Sequence, residues 1–187
     1  MTELDASDYR FAKLPTADFL LSLQTQEAVL PETMALCERT KPLLVIDTNV
    51  WLDILYWDDV QTRELASDIE NGTVDVCITL AAIEELADVV SRKYFVIDPE
   101  RQLSLLKHVL SVATLVAPPP GATAKCRDTD DQKFLDLAQS VGADFLVTKD
   151  KLVLKAGKRL KKYGVLVLTP QDVRFPLDAM PKTPSET

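Results

Sequence analysis

Residues 42–51 read PLLVIDTNVW, and the run Leu43, Leu44, Val45, Ile46 followed at once by Asp47 decides the fold class. Four consecutive apolar residues have the length and branching of a strand buried on both faces. Asp47 then falls at that strand's carboxyl end, where open parallel α/β sheets gather ligands. Burying a carboxylate there without a partner costs free energy, so something cationic should answer it.

Outward from this stretch, strand-like runs recur at 74–79, 112–116, 144–148 and 164–168. Helical periodicity fills the gaps, at 60–71, 80–93, 99–110, 130–141 and 152–163. Strands alternating with helices of this length predict βαβ units, right-handed crossovers and a parallel sheet covered on both faces. Residues 118–124 form a Pro/Gly loop.

Residues 1–41 stand outside the alternation. Thr16 is placed to cap a helix through Phe19, Leu20 and Leu23, and Pro31 to open a second reaching Met34 and Cys37. The expectation is an amphipathic helical extension packed on a domain spanning 42–175; a dimer or partner surface is the alternative. Residues 176–187, with three prolines, are expected to be a flexible tail.

Composition narrows the function. The chain has 187 residues, enough for one well-buried domain, with 47% hydrophobic and 27% charged residues. A net charge of −8 argues against a wide cationic nucleic-acid surface. The positive charge is local: residues 149–162 carry seven bases against the single acid Asp150, and the remainder stands at −14. Cys37, Cys77 and Cys126 form no CxxC pair, which suits a reducing compartment and argues against a zinc or disulfide framework. The amino terminus, MTELDASDYR, lacks a secretory layout, and the uncharged stretch 109–124 is too short and too Pro-broken to span a bilayer. A cytoplasmic protein without membrane association is expected.

Three further acidic positions or clusters accompany Asp47, each with a plainer reading. For Asp47 itself the plainer reading is a cap of the next helix. Asp131 lies three, four and seven residues before Phe134, Leu135 and Ala138, at the head of an apolar stripe, yet Asp128 with Asp131 also resembles a capping pair. Asp130 reads as solvated. Asp150 follows Phe145–Thr148, repeating the Asp47 arrangement, or else is a turn residue before a basic helix. Glu84 and Glu85 both sit on the 80–93 helix, and periodicity does not separate them.

Several carboxylates delivered from separate strand ends and helix starts make an all-oxygen nest, which hard cations such as Mg²⁺ or Mn²⁺ choose. Such an ion lowers the pKa of bound water and neutralises phosphoryl charge, so a phosphodiester is the natural substrate. Lys149, Lys151, Lys155 and Lys158 would hold the nucleic-acid backbone, unless they are simply a solvated face. Other schemes fare worse. His108 is the only histidine, five glycines leave no phosphate loop, and Asn49 stands where a phospho-aspartate enzyme wants an acid.

Four segments, VIDTNVWL (45–52), TLAAIEELADVVSRKY (79–94), RDTDDQKFLDLA (127–138) and ADFLVTKD (143–150), resemble in order and spacing the acidic motifs of PIN-domain nucleases. The likeness is greatest to the bacterial branch of toxin components of toxin–antitoxin systems, and it covers about 42–173. It implies a three-layer α/β/α sandwich around a parallel sheet of four to five strands. It implies Mg²⁺- or Mn²⁺-dependent endoribonuclease activity on a quartet of Asp47, Glu85, Asp131 and Asp150. Glu85 is chosen over Glu84 because it directly precedes Leu86. Asp128 matches an additional acid, and Thr48, Asn49 and Thr148 match supporting polar residues. Leu152 stands where relatives often carry a further Asp, which implies a weakened second metal position. A toxin role would add an antitoxin partner and a homodimer. The competing expectation is a non-catalytic acidic module that binds RNA or protein.

Overall fold

The computed structural model describes residues 15–173, so the expected tail at 176–187 and the first fourteen residues lie outside it. Five parallel strands, β1 (Leu43–Ile46), β2 (Asp75–Thr79), β3 (Ala113–Val116), β4 (Phe145–Val147) and β5 (Leu166–Leu168), pair in the order β3-β2-β1-β4-β5. Eight α-helices accompany them: α1 (Pro15–Gln24), α2 (Pro31–Leu36), α3 (Thr48–Leu52), α4 (Arg63–Glu70), α5 (Leu80–Ser91), α6 (Pro99–Val112), α7 (Gln132–Ser140) and α8 (Lys151–Gly157). The chain steps one way across the sheet from β1 to β3, then returns past β1 to β4 and β5. Right-handed crossovers therefore lay α7 and α8 on the opposite face from the helices preceding β2 and β3. The result is the three-layer α/β/α sandwich.

The central strand is β1, with Leu43, Leu44, Val45 and Ile46 at most 2% exposed, as its unbroken apolar run requires. Leu86, Leu106, Phe134, Leu135 and Leu146 belong to the same core, all essentially without solvent contact. Fully burying each such side chain contributes roughly 1.5–3 kcal/mol.

The segment before β1 is integral to this core. Leu20 and Leu23 of α1 are buried against α5 and α6, and Thr16 lies within that helix rather than before it. Val29 pairs with β3: its amide donates to the Leu115 carbonyl at 3.0 Å, and its carbonyl accepts from Ala117 at 2.9 Å. Arg39 donates to the Val141 and Gly142 carbonyls at 3.2 and 2.8 Å, satisfying the carboxyl end of α7. The second helix ends at Leu36, one residue short of Cys37.

All five expected helices differ in span: the 80–93 helix ends at Ser91, and the 99–110 helix runs on to Val112. The 60–71 helix begins as a 3-10 turn (Val60–Thr62). The expected 152–163 helix stops at Gly157 and continues as a 3-10 turn, Lys158–Tyr163. There the chain lies so close to β5 that any side chain at Gly157 would overlap Val167. The 130–141 helix starts only at Gln132, because Asp131 occupies its N-cap position. Asp131 is thus outside the apolar stripe it was expected to head. Among the described residues no helix is long and apolar enough to cross a membrane.

Candidate active site

The strand order reverses between β1 and β4, and their carboxyl ends deliver Asp47 and Asp150 side by side at this switch point. Asp47 is 1% exposed. Its Oδ1 accepts from the Asn49 amide at 3.3 Å, which caps α3, and its Oδ2 accepts from the Thr148 hydroxyl at 2.6 Å. Burial pushes the Asp47 carboxyl above its ordinary pKa; the two hydrogen bonds pull it down, and Glu85 and Asp150 push it up. Thr148, wholly buried, also accepts from the Asp150 amide at 3.0 Å, so one hydroxyl ties both strand ends together.

Asp150 caps α8 through Oδ1 alone, accepting from the Leu152 and Val153 amides at 2.6 and 3.0 Å. The capping role and a role in the site therefore coexist, because the cap consumes one oxygen of two. Asp131 behaves differently. It holds the N-cap position of α7 yet makes no side-chain capping bond. Its carboxyl is pushed up to about 6, first by burial and then by Asp47, Asp150, Asp128 and Glu85. Asp128 is exposed, and its Oδ1 accepts from the Asp130 amide at 3.0 Å.

Tertiary structure separates Glu85 from Glu84. Glu84 is exposed, whereas Glu85 is half-buried and its Oε2 accepts from the Thr48 hydroxyl at 2.6 Å. Thr48 directly follows Asp47, so α3 carries the support for Glu85 as well as that for Asp47. Lys133, which the sequence did not single out, sets its ammonium 3.3 Å from the same Glu85 oxygen. It also donates to the Asp130 carbonyl and lies over the Phe134 ring. One lysine among the acids of 127–136 was the only available signal.

The basic stretch divides. Lys149 is paired with Asp53 at 2.7 Å and Asp59 at 3.5 Å, and these partners raise its pKa, the Asp53 hydrogen bond foremost. Lys151, Lys155 and Lys158 are exposed. Asp53 is buried at 8% exposure and was not anticipated, because it lies in a π-helical turn (Asp53–Trp57) that apolar periodicity does not mark. Beside these residues opens a cleft of about 350 Å³ lined by Asn49, Leu52, Asp53, Trp57, Phe95, Lys149 and Asp150.

Carboxylates from four separate segments share one electrostatic field here, and an all-oxygen donor set suits a hard divalent cation. Among the described residues no three Asp, Glu, His or Cys side chains are drawn together into a closed metal cage. The donor chemistry fits a cation nonetheless, since after burial it is repulsion from neighbouring carboxylates that raises Asp131 and Asp47. The free carboxylate oxygens of Asp150 and Glu85 extend that donor set.

A family model described as PIN domain matches residues 43–152. Among solved structures, the crystal structure of VapBC2 from Rickettsia felis bound to a DNA fragment from their promoter matches with 17% sequence identity and a TM-score of 0.48, covering 67% of this chain and 98% of that one. No curated protein matches the chain.

Proposed function

The chain belongs to the PIN domain family, and from that premise we propose that it is a divalent-metal-dependent endoribonuclease, the toxin of a toxin–antitoxin pair. One observation carries the nuclease reading: Asp47, Glu85, Asp131 and Asp150 come from four separate segments and act on one another electrostatically beside the β1–β4 switch point. Asp47, Asp131 and Asp150 would hold Mg²⁺ or Mn²⁺, with Asp128 as an outer acid. Glu85 would orient the attacking water or complete the coordination. When bound, such an ion activates water and neutralises charge on a phosphoryl oxygen.

The remaining steps belong to the protein. Thr148 fixes the Asp47 carboxylate and the Asp150 backbone together, Thr48 fixes Glu85, and the Asn49 amide holds the second Asp47 oxygen. Lys133 offsets part of the carboxylate repulsion at Glu85. Lys151, Lys155 and Lys158 are exposed on one side of Asp150 and suit phosphate contacts. Leu152 in place of a further acid favours a single ion. The domain is assigned to 42–175, preceded by the helical extension within 1–41. The antitoxin and homodimer assignments rest on the motif resemblance.

Purified protein incubated with RNA and Mn²⁺ or Mg²⁺, with chelator, and beside an Asp47→Ala control tests this. Cleavage that needs metal and vanishes in the variant is expected. Equal cleavage by the variant would overturn it. The alternative, a non-catalytic RNA- or protein-binding module, draws on the absence of a closed acidic trio among the described residues. Calorimetry separates the two, since that module would bind no Mn²⁺ through Asp47.

A further inference from the structure

Beside the acids stands an aromatic cluster that the carboxylate chemistry does not use. Tyr56 and Trp57 from the π-helical turn meet Tyr94 and Phe95 from the turn after α5. Tyr56 packs edge-on against Trp57 (4.6 Å between centroids) and Phe95 (5.1 Å), and Tyr94 packs edge-on against Phe95 at 5.4 Å. The Tyr56 hydroxyl donates to the Phe95 carbonyl at 2.8 Å, locking the two turns together. Phe95 is the buried anchor, at 8% exposure, while Trp57 and Tyr94 are 50% and 75% exposed. Exposing two large rings on rigid supports loses hydrophobic stabilisation that burial would supply.

Three observations bear on the occupant. First, Trp57 and Phe95 line the same 350 Å³ cleft as Asn49, Lys149 and Asp150, so the platform runs directly into the acidic site. That volume lies in the range of small organic ligands, about 300–1,000 Å³. Second, the acids around the platform hold cations: Asp53 and Asp59 hold Lys149, Asp58 holds Arg63 at 2.8 Å, and Asp88 holds Arg92 at 2.8 Å. Their repulsion of a phosphate is correspondingly reduced. Third, Lys93, exposed and immediately before Tyr94 in the chain, adds a base to this edge of the platform. An apolar partner helix laid here would desolvate Lys149, Asp150 and Asn49 without replacing their hydrogen bonds.

Resting on the nuclease reading, we infer that Trp57 and Tyr94 form a stacking platform for an unpaired base flanking the scissile phosphate. A flat ring stacks on any base face, and a duplex, with its bases already stacked, has none to offer.

The test uses the two tryptophans. Trp51 is 2% exposed, so emission changes on adding a short RNA report Trp57. Titration of the full chain with single-stranded RNA should quench that emission. Trp57→Ala and Tyr94→Ala should each weaken binding by roughly 5- to 150-fold, the worth of one stacked base, with recovery in Trp57→Phe. A duplex of the same sequence, and a strand lacking bases at successive positions, serve as controls. Cleavage of single-stranded RNA without quenching overturns the platform and leaves the nuclease reading standing. Quenching without cleavage in any metal keeps the platform and sinks the nuclease reading. Equal quenching by duplex or base-free strands reduces the contact to the phosphate backbone and overturns the inference. So does emission that ignores RNA but changes with protein concentration, which would mark this face as an interface between copies.

Discussion

The Thr148 hydroxyl donates to Asp47 at 2.6 Å while accepting from the Asp150 amide at 3.0 Å, joining residues a hundred positions apart across the β1–β4 seam. Removing it should leave a buried carboxylate oxygen short of its donor. Thr148→Val is expected to cost about 1–3 kcal/mol in denaturant unfolding and to lower metal affinity or cleavage about 10- to 100-fold, with Thr148→Ser restoring most of both.

Asp131 sets a pH dependence. Its carboxyl is pushed up to about 6 in the fold, against about 3.9 unfolded. Between those values the folded state binds more protons than the unfolded state. Stability from this group is therefore full below about pH 4 and lost as pH rises through about 6. Asp131→Asn should raise the melting temperature of metal-free protein at neutral pH and be neutral below about pH 4. Asp131 is only half-buried, so screening holds the gain under about 1 kcal/mol, or roughly 2–4 °C. A variant that melts lower at neutral pH would contradict the repulsion.

Glu84 and Glu85 should differ despite their adjacency. Glu84 is exposed, so Glu84→Gln is expected to leave Mn²⁺ binding within about twofold. Glu85→Gln, at the position held by Thr48, should weaken it about 10- to 100-fold in calorimetry.

Lys149 and Asp53 form a pair 2.7 Å apart whose acid is only 11% exposed in its side chain. Lys149→Met strands that acid and should destabilise by about 1–3 kcal/mol. The double variant with Asp53→Asn should recover much of the loss. Additive losses in the thermal denaturation cycle would show that the pair is not coupled.

Gly157 lies where α8 meets β5, and an added methyl would sit within 2.7 Å of the Val167 Cβ. Gly157→Ala should cost about 1–3 kcal/mol despite its better helix propensity, read as a lower denaturant midpoint. Pairing it with Val167→Ala should return part of the loss.

The fold was legible because apolar runs and helical periodicity are local. β1 announced itself through four residues buried on both faces. Helix ends were less legible: Asp131 takes an N-cap without capping, and Gly157 yields to its approach to β5, neither visible in a propensity. Lys149 read as a nucleic-acid contact, yet its nearest partners, Asp53 and Asp59, sit about ninety residues upstream.

By itself, the sequence determined that Asp47 ends a buried strand, because four apolar residues directly before an acid can be satisfied in few other ways, and that Asp150 closely follows another. It also determined the chemistry available, since many carboxylates beside a single histidine and no paired cysteine leave oxygen ligands. Only the tertiary structure decided that β4 lies beside β1, which brings Asp150 to Asp47, and that Glu85 rather than Glu84 turns inward. It alone brought Trp57 beside Phe95 and Tyr94. Backbone periodicity is set within a few residues by sterics and hydrogen bonding. Proximity between distant segments is set by strand order and packing, which sum over the whole core.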